Sequence, residues 1–133
     1  MFLATLSDEQ KPAFLALADS VIRADRRLAP QEDAMLGAMR AEMGLPAGAP
    51  VPALDVTDAA AAFDTHRVRV AVMLELVGLS LSDGEMAPEE AALLTEIREA
   101  LGVSESRFLA QCDWVLRQTA LVREAGEMMR EEV

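Results

Sequence analysis

A chain of 133 residues, 52% of them hydrophobic, is long enough to bury a core of its own and suits one domain over residues 1–133 with no stabilising metal. Its single cysteine, Cys112, rules out an intramolecular disulfide and fits a reducing, cytoplasmic setting. A net charge of −11 argues against a nucleic-acid partner, since phosphate binding needs a basic surface to release counterions, and favours cations or basic protein surfaces.

Met1 to Leu6 has no basic residue ahead of its apolar side chains, so no secretory leader is expected. Ser7 and Gln10 have the spacing of a capping box, and Phe14, Leu15, Leu17, Ala18, Val21 and Ile22 recur at helical spacing. Pro12 lacks the N–H of an interior position, so the first helix is predicted from near Lys11 to near Asp25. Pro30 suits a first helical position; Met35, Leu36, Met39 and Met43 follow as an apolar stripe, and Gly44 is a natural left-handed stop. Leu45 to Pro52, with three prolines and a glycine, reads as an extended connector. Thr57 or Asp58 is expected to cap a short helix through Phe63, and Asp64 or Thr65 to start the next, Arg67 to Ser82. From Val70 onward that helix is apolar nearly all round, which predicts a central position, but Glu75 interrupts a run already too short for the ~20 residues of a membrane span. A helix from Pro88 to Gly102 follows. Ser104 then caps a last long helix with Phe108, Cys112, Val115, Thr119 and Val122 on one face and Leu109 and Leu116 alongside, fraying from Gly126. No stretch alternates with period two. The expected fold is all-α, a compact bundle of six or seven helices.

Shifting the sequence by 58 residues lays Asp25–Gly44 over Asp83–Gly102. Asp25/Asp83, Ala29/Ala87, Pro30/Pro88, Glu32/Glu90, Ala34/Ala92, Leu36/Leu94, Arg40/Arg98 and Gly44/Gly102 are identical, and Leu28/Met86, Met35/Leu93, Met39/Ile97 and Met43/Leu101 exchange one apolar side chain for another. Such self-similarity is the mark of one supersecondary unit used twice. The two units are expected to superpose as turn-helix pieces related by a pseudo-two-fold and packed on the central helix.

A helix ending in Asp-Gly, a short spacer, and a Glu opening a second helix that ends in Leu-Gly resembles the tellurite-resistance TerB-like domain, also seen at the N-terminal side of a membrane-anchored DnaJ-like co-chaperone. The resemblance runs from about Leu15 to Trp114 and is most specific over Ser82–Glu90 with Leu101-Gly102. It implies an all-α, internally duplicated fold with an acidic, metal-binding site. Asp83 and Glu90 fall on the motif, and Asp25 and Glu32 on its first copy. The first copy departs from the pattern: Arg26 stands in place of the glycine and Arg27 in place of Glu85, so two cations flank Asp25. Peripheral association with a membrane complex is compatible with the resemblance.

Asp83, Glu85 and Glu90 are hard oxygen ligands of the kind Ca²⁺, Mg²⁺ or Mn²⁺ prefers, although their spacing is not that of an EF-hand. The same acids are equally suited to purely structural work, capping a turn and complementing a helix N-terminus. The methionine stripe reads as core rather than as a peptide groove. His66 reads as a surface or capping residue, Cys112 as a small buried hydrophobe, and Trp114, off the main stripe of its helix, as a partly exposed contact for a partner. No nucleophile-base set, phosphate loop or paired-cysteine motif is present, so no enzymatic activity is expected. Two functions remain: an acidic, non-enzymatic, metal-responsive module of a stress response, or a helical adaptor that recognises a protein partner or a second copy of itself through an apolar groove.

Overall fold

The computed structural model describes residues 1–24, 30–82 and 85–130, and for 30–32 the backbone alone. The described residues form six α-helices and no strand: α1 (Gln10–Arg23), α2 (Pro30–Glu42), α3 (Val56–Ala60), α4 (His66–Ser80), α5 (Pro88–Leu101) and α6 (Glu105–Arg130), preceded by a 3-10 turn at Leu3–Thr5.

Local chemistry sets the helix starts. Ahead of α1 the Ser7 N–H donates to Gln10 Oε1 at 3.0 Å and the Gln10 N–H to Ser7 Oγ at 3.3 Å, a reciprocal box. The helix opens at Gln10, one residue before the expected start, because Pro12 falls in the first turn where its missing N–H has no partner to lose. Thr65 caps α4 by accepting the Val68 N–H at 3.2 Å, and Ser104 caps α6 through the Arg107 N–H at 3.3 Å. The expected cap of α3 is corrected: Asp55, not Thr57 or Asp58, accepts the Asp58 N–H at 2.8 Å. Asp58 instead sits in the first turn, where its charge complements the helix dipole.

Two central helices, rather than one, carry the core. Ala13 to Ala18 of α1 are buried without interruption, and Val72, Met73, Leu76 and Val77 of α4 are fully enclosed. These helices pack on each other; α5 and α6 pack on α4, and α2 and α3 pack on α1. The expectation that both turn-helix units rest on the central helix is therefore corrected: α5 does, whereas α2 packs chiefly on α1 and the Leu3–Thr5 turn. Each half thus sets its second helix against its first, α2 on α1 and α5 on α4, and α5 packs on α3 as well.

The helix ends of the two aligned units match closely. Gly44 and Gly102 both have φ 72°. The Leu45 N–H donates to the Arg40 carbonyl and the Val103 N–H to the Arg98 carbonyl, both at 2.8 Å, while Gly44 and Gly102 donate to Ala41 and Glu99 at 3.0 and 3.1 Å. Both ends are Schellman motifs. Leu36 and Leu94 are buried, as are Met43 and Leu101. The Asp25 and Asp83-Gly84 turns, with Arg26 and Arg27, lie outside the described residues, so the likeness rests on helix ends and burial. No atom stands within 4 Å of a Cβ built at either glycine, so substitution costs backbone strain alone. Gly44→Ala and Gly102→Ala are each expected to lose about 1 kcal/mol in urea denaturation, with equal losses at the two sites.

Helix α6 departs most from expectation. It continues unfrayed through Gly126 to Arg130. Val115 is buried and Phe108, Cys112 and Thr119 are partly covered, but Val122 is 62% exposed and does not belong to the packed face. Helices α4 and α6 run parallel, with His66 beside Arg107 at one end and Leu79 sharing a cavity wall with Gln118 at the other. From that register α6 outruns α4 by about ten residues, or roughly 15 Å at 1.5 Å per residue.

Candidate functional site

The acidic residues do not converge within the described residues. Asp83 and Asp25 lie outside them, as does the side chain of Glu32, whose backbone belongs to the first turn of α2. Glu85 is exposed on the approach to α5. Glu90, half-buried, accepts the Ala87 N–H at 3.1 Å with Oε1. Ala87 has no side-chain acceptor to reciprocate, so this is one arm of a capping box. Glu90 is thereby engaged in starting its own helix, the structural role weighed for it from the sequence. Among the described residues no group of three or more His, Cys, Asp or Glu side chains is placed to hold a metal ion.

The remaining singled-out residues fall as follows. His66, at the first position of α4, is exposed, with Nδ1 3.2 Å from Arg107 Nη1. Cys112 is half-buried, and burial raises its thiol pKa above 9.0, which keeps it protonated and unreactive at neutral pH. Trp114 is half-buried against Phe2, ring centroids 6.3 Å apart and tilted by 46°.

Trp114 also lines an apolar opening. A cavity of about 280 Å³ opens between α2, α4 and α6, walled by Met35, Ala38 and Met39, by Leu74, Gly78 and Leu79, and by Trp114, Val115 and Gln118, with Phe2 at one end. Gly78 presents no side chain, and no atom lies within 4 Å of where one would begin. The methionine stripe is accordingly split: Met43 is core, whereas Met35 and Met39 are half-buried and line this opening. That corrects the reading of the whole stripe as core. A larger hollow of about 590 Å³ lies across the start of α4, rimmed by Thr5, Gln10, Asp64, Thr65 and Arg67.

One end of the groove is built by contacts invisible in sequence. Glu75, the lone acid in the apolar middle of α4, accepts the Phe2 N–H at 2.8 Å and pairs with the Met1 ammonium at 3.0 Å. Glu42 at the end of α2 accepts the Leu3 N–H at 2.7 Å and the same ammonium at 2.6 Å. Burial lowers the ammonium's pKa, but the hydrogen bonds to Glu42 and Glu75 and their charges outweigh it and leave the group above its ordinary 8.0. Two carboxylates thus pin Phe2 against Trp114. The available signal was that an acid inside an apolar helix face must find a partner.

No helix among the described residues is long and apolar enough to cross a membrane. Residues 49–111 match the family model described as Tellurite resistance protein TerB, a stretch that runs from the connector through α3, α4 and α5 into α6. Asp83, Glu85 and Glu90 lie inside it, and Asp25 and Glu32 outside. No curated protein and no solved structure matches the chain.

Proposed function

We propose, from the premise that the chain contains a TerB-like domain, that it is a non-enzymatic helical module of a tellurite-resistance-like stress response and works by docking an amphipathic helix. The observation that carries this reading is the groove of Met35, Met39, Gly78 and Trp114. It is apolar, lies between three helices and is lined by flexible methionines that adapt to an inserted side chain, the features by which helix-in-groove recognition operates. The acids of the α5 start are structural in this reading.

A divalent-cation site at Asp83, Glu85 and Glu90 is the second reading, supported by the position of these residues within the matched stretch and by the net charge of −11. One set of titrations separates the two. Trp114 is the sole tryptophan and lines the groove, so its emission reports occupancy. A designed amphipathic helical peptide with Leu at i, i+3, i+4 and i+7 is expected to shift that emission to the blue at ~10–100 μM, and Met39→Glu to abolish the shift. No shift with wild type at concentrations where the chain is monomeric sinks the docking reading. In the other arm, Mn²⁺, Ca²⁺ and Mg²⁺ at ~1 mM and constant ionic strength would stabilise a site of ~10 μM affinity by about 2.7 kcal/mol. Asp83→Asn with Glu90→Gln removes the charges but keeps a side-chain oxygen able to accept the Ala87 N–H, and equal responses of the two proteins end the metal reading.

A further inference from the structure

Beyond the body of the bundle, α6 carries an apolar surface that none of the described residues covers. Leu121, Val122, Met128 and Met129 are 64, 62, 63 and 82% exposed. They are not scattered. At 100° per residue Leu121, Val122, Ala125, Met128 and Met129 share one arc of roughly 120°, while Arg123, Glu124, Glu127 and Arg130 point away from it. The same arc runs back through Gln118 to Trp114, so the exposed stripe is the continuation of the groove wall. Trp114, Gln118, Leu121, Ala125 and Met128 succeed one another at alternating steps of four and three, the spacing of a coiled-coil seam.

We infer that this stripe pairs with its counterpart on a second copy of the chain, the two α6 helices running antiparallel so that the projecting end of each lies along the groove of the other. The inference rests on the reading of the groove as a helix-docking site and names its occupant. Charge complementarity favours a second copy. The positions flanking the seam on one side are Arg117 and Glu124, one heptad apart. In an antiparallel pair these flanks face their own kind, so Arg117 meets Glu124 of the second copy and the contact is made twice about the two-fold. The register that aligns those charges sets Leu121 against Gln118 and brings Ala125 and Met128 of the second copy to the level of Trp114 and its cavity. Arg117 already pairs with Asp113 at 2.9 Å, and both are more than half exposed, so the guanidinium can face a second carboxylate without leaving the surface.

Sedimentation equilibrium of the full chain tests this. A dimer is expected with micromolar affinity, and Leu121→Glu or Met128→Glu should raise its dissociation constant ~100-fold or more with the far-ultraviolet CD unchanged, because both residues are exposed in the single chain. Arg117→Glu or Glu124→Arg alone should weaken it several-fold, and the two together should restore it. A monomer at ~200 μM, a dimer indifferent to Leu121→Glu and Met128→Glu, or a double charge reversal no better than either single one overturns the inference. A monomer whose Trp114 still responds to the designed peptide would leave the docking reading standing and remove only this occupant; a monomer with no response would remove both.

Discussion

Ile97→Ala should destabilise the protein by about 3–4 kcal/mol, and Met39→Ala, at the aligned position of the other half, by only about 1 kcal/mol. Ile97 is 0% exposed, so truncation leaves a void that the surrounding side chains cannot fill. Met39 is half-buried on the rim of an opening of about 280 Å³, where water already has access and a shortened side chain merely widens the space. Urea denaturation of both variants measures the difference, which corresponds to roughly 10 °C in melting temperature for a chain of this length. Equal losses would place Met39 in the core and close the groove. A small loss at Met39 together with the loss of peptide binding in Met39→Glu would separate docking surface from scaffold within one stripe.

The contrast also marks how far the sequence was legible. Apolar periodicity located the longer helices and a capping signal the short α3, while cap chemistry placed Ser7, Ser104, Gly44 and Gly102 and narrowed the start of α4 to Asp64 or Thr65, because those interactions span three to five residues. At α3 the sequence offered Thr57 or Asp58, but Asp55, whose carboxylate has the same capping chemistry, is the cap, and only the backbone decides among them. Gly126 was read as an end, yet a glycine inside a helix costs only about 1 kcal/mol, and α6 absorbs that between Ala125 and Glu127. Met35 and Met39 could not be told from Met43 by periodicity, since all three point to the same side of α2 and only the position of α4 and α6 decides which is covered. The acidic candidates Asp83 and Asp25 fall outside the described residues. Of the rest, Glu90 supplies the arm of a capping box, a role its place three residues after Ala87 already allowed.

Glu75→Leu should cost about 2–3 kcal/mol despite replacing an acid by an apolar residue in an apolar helix. The carboxylate accepts the Phe2 N–H across 73 residues of sequence and faces the Met1 ammonium, so leucine leaves a part-buried donor unsatisfied and halves the carboxylates around a positive charge. Glu75→Gln keeps an acceptor for the N–H and should lose about half as much. The pH dependence follows from the ammonium's raised pKa. Its contribution is fully present below pH 8.0, the ordinary value, and is lost as pH rises through the raised value of the folded state. The raised thiol pKa of Cys112 acts in the same direction above pH 9.0, so the profile is best recorded in a Cys112→Ala background. In that background stability should fall above pH 8, and in Glu42→Ala with Glu75→Gln, which removes the charges that raise the ammonium's pKa, that fall should be absent. A fall of equal size in both proteins would detach the amino terminus from the effect. Because Phe2 rests on Trp114, releasing the terminus also uncovers the end of the groove. Emission from Trp114 should therefore move to the red in Glu75→Leu before any global unfolding, since the carboxylate that holds Phe2 is also the one that closes the binding surface.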